Sequence, residues 1–222
     1  GGSGWVISGS DISYTTGRIG VGTSTPEATL HVEGSVYASS NLNVGGTATG
    51  SAASGVEQQQ KIQASDAQAY DSFGYSVSLS PDGNTALIGA HFEDTGGDNA
   101  GAAYIFTRSN GTWTQQQKIQ ASDAQAYDYF GISVSLSSDG NTVLIGANND
   151  DTGATNAGAA YIFIRSGGTW TQQQKIQASD AGFDDYFGHS VSLSSDGNTA
   201  LIGAHFEDTG GTDAGAAYMF IR

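Results

Sequence analysis

The sequence predicts an all-β protein: three four-stranded antiparallel sheets in tandem, preceded by a short β stalk. Three observations predict it. A 57-residue unit occurs three times, opened by the same phrase KIQASDA at Lys61, Lys118 and Lys175, with Phe73-Gly74, Phe130-Gly131 and Phe187-Gly188 and then Gly89-Ala90, Gly146-Ala147 and Gly203-Ala204 at the same spacing. A fixed period of this size is one supersecondary unit that cannot bury its apolar faces alone and stacks on its copies. Glycine is abundant at 33 residues against 2 prolines, and no long amphipathic helical period occurs; such a chain suits short strands and tight turns. Finally, apolar and small polar residues alternate within each unit with a period of two.

The first unit reads as four strands. Phe73, Tyr75, Val77 and Leu79 alternate with Gly74, Ser76, Ser78 and Ser80, the pattern of a half-buried strand. Pro81-Asp82-Gly83-Asn84 is a tight turn that asks for a positive φ at Gly83. Thr85–Ala90 is a nearly continuous apolar strand, followed by an acidic, Gly-rich loop over 91–100. Gly101–Phe106 is a third strand, Asn110-Gly111 a turn, and Thr112–Ile119 a fourth strand leading into the next copy. Two strands apolar on both faces require cover on both sides of each sheet. With no helices to supply it, the solution is sheet on sheet, the arrangement of β-propeller blades around an axis. Small residues (Gly89, Ala90, Ala102, Ala103) let strands approach near that axis. Trp113 and Trp170 follow turns and pack between blades, or stack on a sugar at an exposed edge.

The phrase FG-x-S-V-S-L…G-N-T-A-L-I-G-A…G-A-A-Y-I-F resembles the FG-GAP repeat of integrin-type β-propellers. The resemblance covers 57–222, as repeats 57–113, 114–170 and 171–222. It implies a propeller fold and an extracellular, adhesive setting. Many members carry a calcium loop D-x-[DN]-x-D-G before the second strand. Here that place holds one acid per copy, Asp82, Asp139 or Asp196, too few for the six to eight oxygens of Ca²⁺, so that site is not carried over. Propellers usually close with four to eight blades. Residues 56–63 are suited to complete the last blade, because the third copy reaches Arg222 without a TWTQQQ strand of its own. Repeats 1 and 2 agree at 39 of 50 positions counted from Lys61 and Lys118, similar enough for chains to exchange blades.

Residues 1–50 do not share the repeat. Leu30, Val32 and Val36 mark one or two short strands broken by glycines, and so few large apolar side chains bury too little surface to fold without oligomerisation. The stretch Gly17–Gly34 resembles the G-R-[IV]-G-[IV]-G-T-x-x-P-x-x-x-L-x-V-x-G segment of phage and large-virus tail-fibre and surface-fibre proteins. That resemblance implies an intertwined homotrimeric stalk. The alternative is a flexible Gly-rich leader. Residues 51–56 end a Gly/Ala/Ser linker that begins at 47. A first residue of Gly rather than Met points to a processed product or a piece of a longer chain.

Net charge is −15, and 19 of the 22 acids lie in the repeats. Such a surface repels nucleic acid and anionic membranes. No apolar run reaches the length of a membrane span, so no membrane insertion is expected. Absence of cysteine excludes disulfides and thiolate sites. No nucleophile elbow, zinc helix or phosphate loop is present, and His91 and His205 face Asn148 in the middle copy. The expectation is therefore not an enzyme, with no catalytic residue and no cofactor. Acidic loop residues Asp94, Asp98, Asp151, Asp208 and Asp213 are the candidate ligands should Ca²⁺ bind, against the plainer reading of solvated loops that keep sheet edges apart. The regular pairs Asp66/Asp71, Asp123/Asp128 and Asp180/Asp185 read first as turn caps. Asn110-Gly111-Thr112 fits an N-glycosylation sequon in the first copy alone.

The sequence thus points to an attachment protein of an extracellular or virion surface, a fibre or spike subunit displaying repeats to a cell-surface glycan or protein receptor beside other virion or surface proteins. A secreted cellular adhesin or matrix protein is the alternative. Receptor contact is expected where the copies differ: His91, Phe92 and Glu93; Asn148, Asn149 and Asp150; His205, Phe206 and Glu207.

Overall fold

The computed structural model describes residues 57–222 and four short strands before them, in two compact units, Gly1–Glu57 and Gln58–Arg222. In the first unit β1 (Trp5–Ser8) pairs antiparallel with β2 (Asp11–Tyr14), and β3 (Ile19–Val21) pairs parallel with β4 (Leu30–Val32). The remainder of the expected stalk (1–50) and the linker (51–56) lie outside the described residues.

The second unit is three antiparallel sheets in chain order. The first is β5 (Ser76–Leu79), β6 (Thr85–Ala90), β7 (Ala102–Ser109) and β8 (Thr112–Ile119). The second is β9 (Ser133–Leu136), β10 (Thr142–Ala147), β11 (Ala159–Ser166) and β12 (Thr169–Ile176). The third has β13 (Ser190–Leu193), β14 (Thr199–Ala204) and β15 (Ala216–Ile221). No helix occurs among the described residues. Each sheet is a meander because each link is a turn with the right chemistry. Asn110 (φ 51°) and Gly111 (φ 80°) give the β7–β8 hairpin two left-handed residues. The Ser80–Thr85 turn is held by Asp82, whose carboxylate accepts from Ser80 Oγ at 2.6 Å and Asn84 N at 3.0 Å.

The sheets stack face to face. Leu87 and Ile105 of the first pack on Leu136, Val143, Ile145, Tyr161 and Phe163 of the second; Leu144 and Ile162 of the second pack on Ala200, Ile202, Tyr218 and Phe220 of the third. The Phe of each FG pair is the wedge. Phe130 and Phe187 are fully buried. Each ring sits edge-on to two aromatics of its own sheet, Phe130 on Tyr161 at 5.4 Å and Phe163 at 5.9 Å, while its backbone bridges to the preceding sheet at Gly101 or Gly158. The innermost strands β5, β9 and β13 lie closest together. Ser76 Oγ donates to Gly131 O at 2.8 Å and Ser133 Oγ to Gly188 O at 2.7 Å. Leu136 N donates to Ser78 Oγ and Leu193 N to Ser135 Oγ. Trp170 packs between the first two sheets.

Three sequence expectations are corrected. The first strand is shorter than Phe73–Ser80, because Gly74 and Gly131 adopt φ near 90° to pass the chain between sheets. In the first copy Tyr75, Val77 and Leu79 are 61%, 69% and 57% exposed, since these side chains point where a preceding sheet would stand. Finally, 57–63 does not complete the last blade. It forms no strand, and Gln60 bonds the backbone of Trp113 in the first sheet through Nε2 to O (3.1 Å) and N to Oε1 (2.9 Å). Gln117 clamps Trp170 in the same way.

A Cβ at Gly146 would stand 1.9 Å from Gly188 O, and one at Gly89 2.0 Å from Gly131 O, whereas at Gly203 it would meet the movable Ser190 hydroxyl alone. Gly146→Ala should therefore cost about 3 kcal/mol or more and Gly203→Ala about 1 or less. Urea unfolding monitored by tryptophan fluorescence checks the difference; equal losses would refute the close-approach argument.

Candidate functional site

The acidic loops and the Lys of KIQASDA build one repeated polar cluster. In the first sheet Lys118 Nζ reaches Asp66 and Glu93 at 2.7 Å each and Thr95 Oγ1 at 2.8 Å. In the second Lys175 Nζ reaches Asp123 at 2.8 Å, Asp150 at 2.7 Å and Thr152 Oγ1 at 2.7 Å. Tyr161 Oη donates to Asp150 at 2.8 Å and Asp123 at 3.0 Å. The register that pairs Tyr161 with Lys175 places them side by side, the ammonium 5.4 Å from the ring centre. Burial would raise the Asp123 carboxyl, but hydrogen bonds and charge from Lys175 and a bond from Tyr161 outweigh it and hold it below its usual value. Burial would likewise lower Lys175, and its two carboxylates raise it instead. In these two copies a fixed ammonium stands between the loop carboxylates.

Of each expected pair of turn caps the second acid caps a turn, while Asp66 and Asp123 bind lysines instead. Asp71, Asp128 and Asp185 are buried and accept from Gln68 N, Gln125 N and Gly182 N at 2.6, 2.7 and 2.6 Å. Of the candidate calcium ligands, Asp94, Asp151 and Asp208 accept from the backbone N of Asn99, Asn156 and Asp213 at 2.7–2.8 Å, closing their own loops. Asp98 and Asp213 are exposed. Among the described residues no group of three His, Asp or Glu side chains converges as a metal site. The lone acids Asp82, Asp139 and Asp196 are held below their usual pKa first by a serine hydroxyl, then by the Asn two residues on.

The nine receptor candidates divide by burial. Glu93, Asp150 and Glu207 are buried at 1%, 2% and 6% exposure, and the first two hold the lysines. His91 and Asn148 are buried as well. Phe92, Asn149, His205 and Phe206 reach the surface. The structure adds residues the sequence reading missed. Around His91 stand Phe92 at 3.9 Å, Tyr75 at 4.1 Å and Tyr129 of the next repeat at 5.9 Å. Around His205 stand Phe206 at 4.0 Å, His189 at 4.1 Å and Tyr186 at 5.7 Å. The signal for them was present: Tyr75, Ile132 and His189 differ at one repeat position, as do Ser72, Tyr129 and Tyr186. Burial lowers the His91 imidazole to about 4, so it is neutral at physiological pH. Burial and then His189 lower His205.

Comparison with known proteins decides the family. The FG-GAP repeat model matches residues 56–106, 113–163 and 170–220. The chain belongs to the FG-GAP repeat family. Residues 1–55 lie outside the match. No curated protein matches the chain. Among solved structures it is similar to TolB from Acinetobacter baumannii, at 18% identity and TM-score 0.39 over 66% of this chain and 29% of that one. It is also similar to the periplasmic gluconolactonase PpgL of Pseudomonas aeruginosa, at 22% identity and TM-score 0.40 over 60% and 37%. The chain spans about a third of the length of these structures, and likenesses of this size carry no argument about chemistry.

Two predictions follow from the polar clusters of this FG-GAP array. Lys175→Met strands the buried Asp150 carboxylate and should cost about 3 kcal/mol, read as a lower denaturation midpoint at pH 7. A loss under about 0.5 kcal/mol would show the cluster to be solvated. Burial raises the Asp128 carboxyl from 3.8 to about 6, the Gln125 N–H opposing it and Asp150 adding to it. Folding therefore takes up a proton between these values, and this contribution to stability is full below about pH 4 and lost as pH rises through about 6. Asp128→Asn should flatten that segment of the stability–pH curve measured by thermal melts.

Proposed function

We propose that this FG-GAP array is a non-enzymatic attachment module that presents aromatic and imidazole side chains to a cell-surface glycan. The observation that carries the reading is the pair of aromatic–histidine clusters, Tyr75–His91–Phe92–Tyr129 and Tyr186–His189–His205–Phe206, on the loops where the repeats diverge. Tyr75, His189, His205 and Phe206 are exposed and Phe92 half-buried, around a buried His91; exposed ring faces with a few polar groups beside them match the apolar faces and hydroxyl edges of sugar rings. The net charge of −15 favours neutral over anionic ligands. In the setting we favour, the module is displayed on a virion or extracellular fibre. Residues 1–50 join three copies there, a role that a failure of solution mass to fall on their deletion would sink. A secreted adhesin would use the same clusters.

The test is a glycan array followed by calorimetry with a retained neutral glycan. Phe92→Ala and Phe206→Ala should each weaken binding about tenfold, on the order of 1.4 kcal/mol. Binding should persist from pH 7.5 to pH 5.5 at the first cluster, because His91 stays neutral. An array without a binder, or binding indifferent to both changes, overturns the reading.

A further inference from the structure

The two aromatic–histidine clusters stand at one end of the sheets, and further aromatic residues of that end belong to the joints between repeats. Successive strands of each sheet pair antiparallel. The loop after the second strand and the segment that leads from the fourth strand into the next repeat therefore emerge at the same end. Phe92 lies on the first of these connections, Tyr127 and Tyr129 on the second. Across the first joint Phe92 meets Tyr129 edge-on at 5.3 Å. Tyr127, two residues before, is 53% exposed.

The second joint keeps the plan with other side chains. Asn149 takes the place of Phe92, and Tyr186 that of Tyr129. Phe183, three residues before Tyr186, is 69% exposed, and Tyr186 in turn meets Phe206 at 5.7 Å. Burial, then Asp184, then the Tyr129 phenol hold the Tyr186 phenol above its usual value. The two phenols are thus within electrostatic reach of each other from one repeat to the next. Backbone geometry fixes these residues. Tyr127, Tyr129, Asp184 and Tyr186 adopt φ of 70°, 59°, 58° and 55°, left-handed values that bulky residues rarely take. The preceding repeat holds them there. Tyr127 N and Tyr129 N donate to Asp98 O and Asn99 O at 2.8 and 3.3 Å, and Asp184 N and Tyr186 N to Thr155 O and Asn156 O at 3.0 Å each. Strain of this kind persists where the surroundings over-determine it, and it gathers at ligand clamps. Both joints lie inside the array, with a sheet on either side.

We propose that the two clusters are parts of one continuous site, joined by Tyr127, Tyr129, Asn149, Phe183 and Tyr186, and, resting on the glycan reading above, that its ligand is a linear neutral oligosaccharide lying across both joints. Successive sugars offer apolar faces to the aromatic rings and hydroxyls to Asn149 and the phenols, so each added sugar reaches a further platform. A single sugar would use one cluster and leave the joint residues without a role. An anionic chain is disfavoured. Asp94, Asp98 and Asp151 on the same loops are exposed, and the Lys118 and Lys175 ammonium groups at this end already bind carboxylates.

Calorimetry on the full chain tests this with malto-, cello- and N-acetylchito-oligosaccharides, each series running from the monosaccharide to the hexasaccharide. In at least one series affinity should rise about tenfold or more with length, and the hexasaccharide should bind once per chain. Tyr127→Asn and Phe183→Ser, in different repeats, should each remove most of that gain. Both side chains are exposed and Asn tolerates a left-handed backbone, so the fold is kept and thermal melts should stay cooperative. A hexasaccharide that binds no tighter than its monosaccharide, that binds twice per chain, or that is indifferent to both changes overturns the continuous site and leaves the glycan reading standing on two separate clusters. No binding in any series also overturns the continuous site, whereas the glycan reading falls on the array and on the Phe92 and Phe206 variants.

Discussion

The structure depends on how closely one sheet can approach the next. At Gly89 and Gly146 a backbone carbonyl of the following repeat occupies the place of a side chain. Any Cβ there pushes the sheets apart, and each further contact is conditional on that approach. Ser76 and Ser133 bond carbonyls across the joint because the glycines let them. Phe130 and Phe187 reach full burial because their own backbone has been drawn against Gly101 and Gly158 of the preceding repeat. The FG and GA pairs, fixed in spacing across three copies, are therefore two sides of one contact: one repeat contributes the gap and the next contributes the carbonyl and the wedge. An array of this type is stabilised joint by joint.

The second layer of organisation is electrostatic. A strongly acidic surface would oppose stacking through self-repulsion. The fold offsets part of this by placing two of its three lysines where acids from adjacent loops converge. Lys118 and Lys175 tie the end of a fourth strand to the loop after the second strand and to the KIQASDA turn of the preceding copy. Breaking such a pair leaves a desolvated carboxylate, which is costlier than the pair is favourable. In the first two sheets the ammonium stands between the loop carboxylates, while the Ser-x-Asp-Gly-Asn turn of each copy meets its own hydrogen-bonding demand with one carboxylate.

How much of this was legible follows from range. Periodicity and turn chemistry act locally, so β6 and β8 were readable to the residue, and the Asn110-Gly111 turn was readable from its dipeptide. The first strand was overextended because Phe73 and Tyr75 keep the alternation, although the backbone has already turned at Gly74. The candidate site was half legible. Divergence between copies pointed to the loop after the GA pair, yet could not tell Phe92, which reaches solvent, from Glu93, which turns inward to Lys118. That distinction rests on a partner 25 residues away across the sheet, and no local pattern carries it. Tyr129 was missed for the same reason, since it meets His91 across the boundary between repeats.

The same contact logic separates the parts of the chain free to carry recognition from those that are not. Strand positions facing a joint are constrained by two neighbours at once, which is why SVSL, LIGA and GAAY recur almost unchanged. Loop residues beyond the GA pair are constrained by one lysine and one turn, through Glu93 or Asp150 and through Asp94 or Asp151. The two positions before those acids carry neither duty. They are the positions that switch between His91-Phe92, Asn148-Asn149 and His205-Phe206. A repeat protein can vary such positions copy by copy without disturbing the stack, and of each pair the second, Phe92, Asn149 or Phe206, is the one that reaches solvent in every copy.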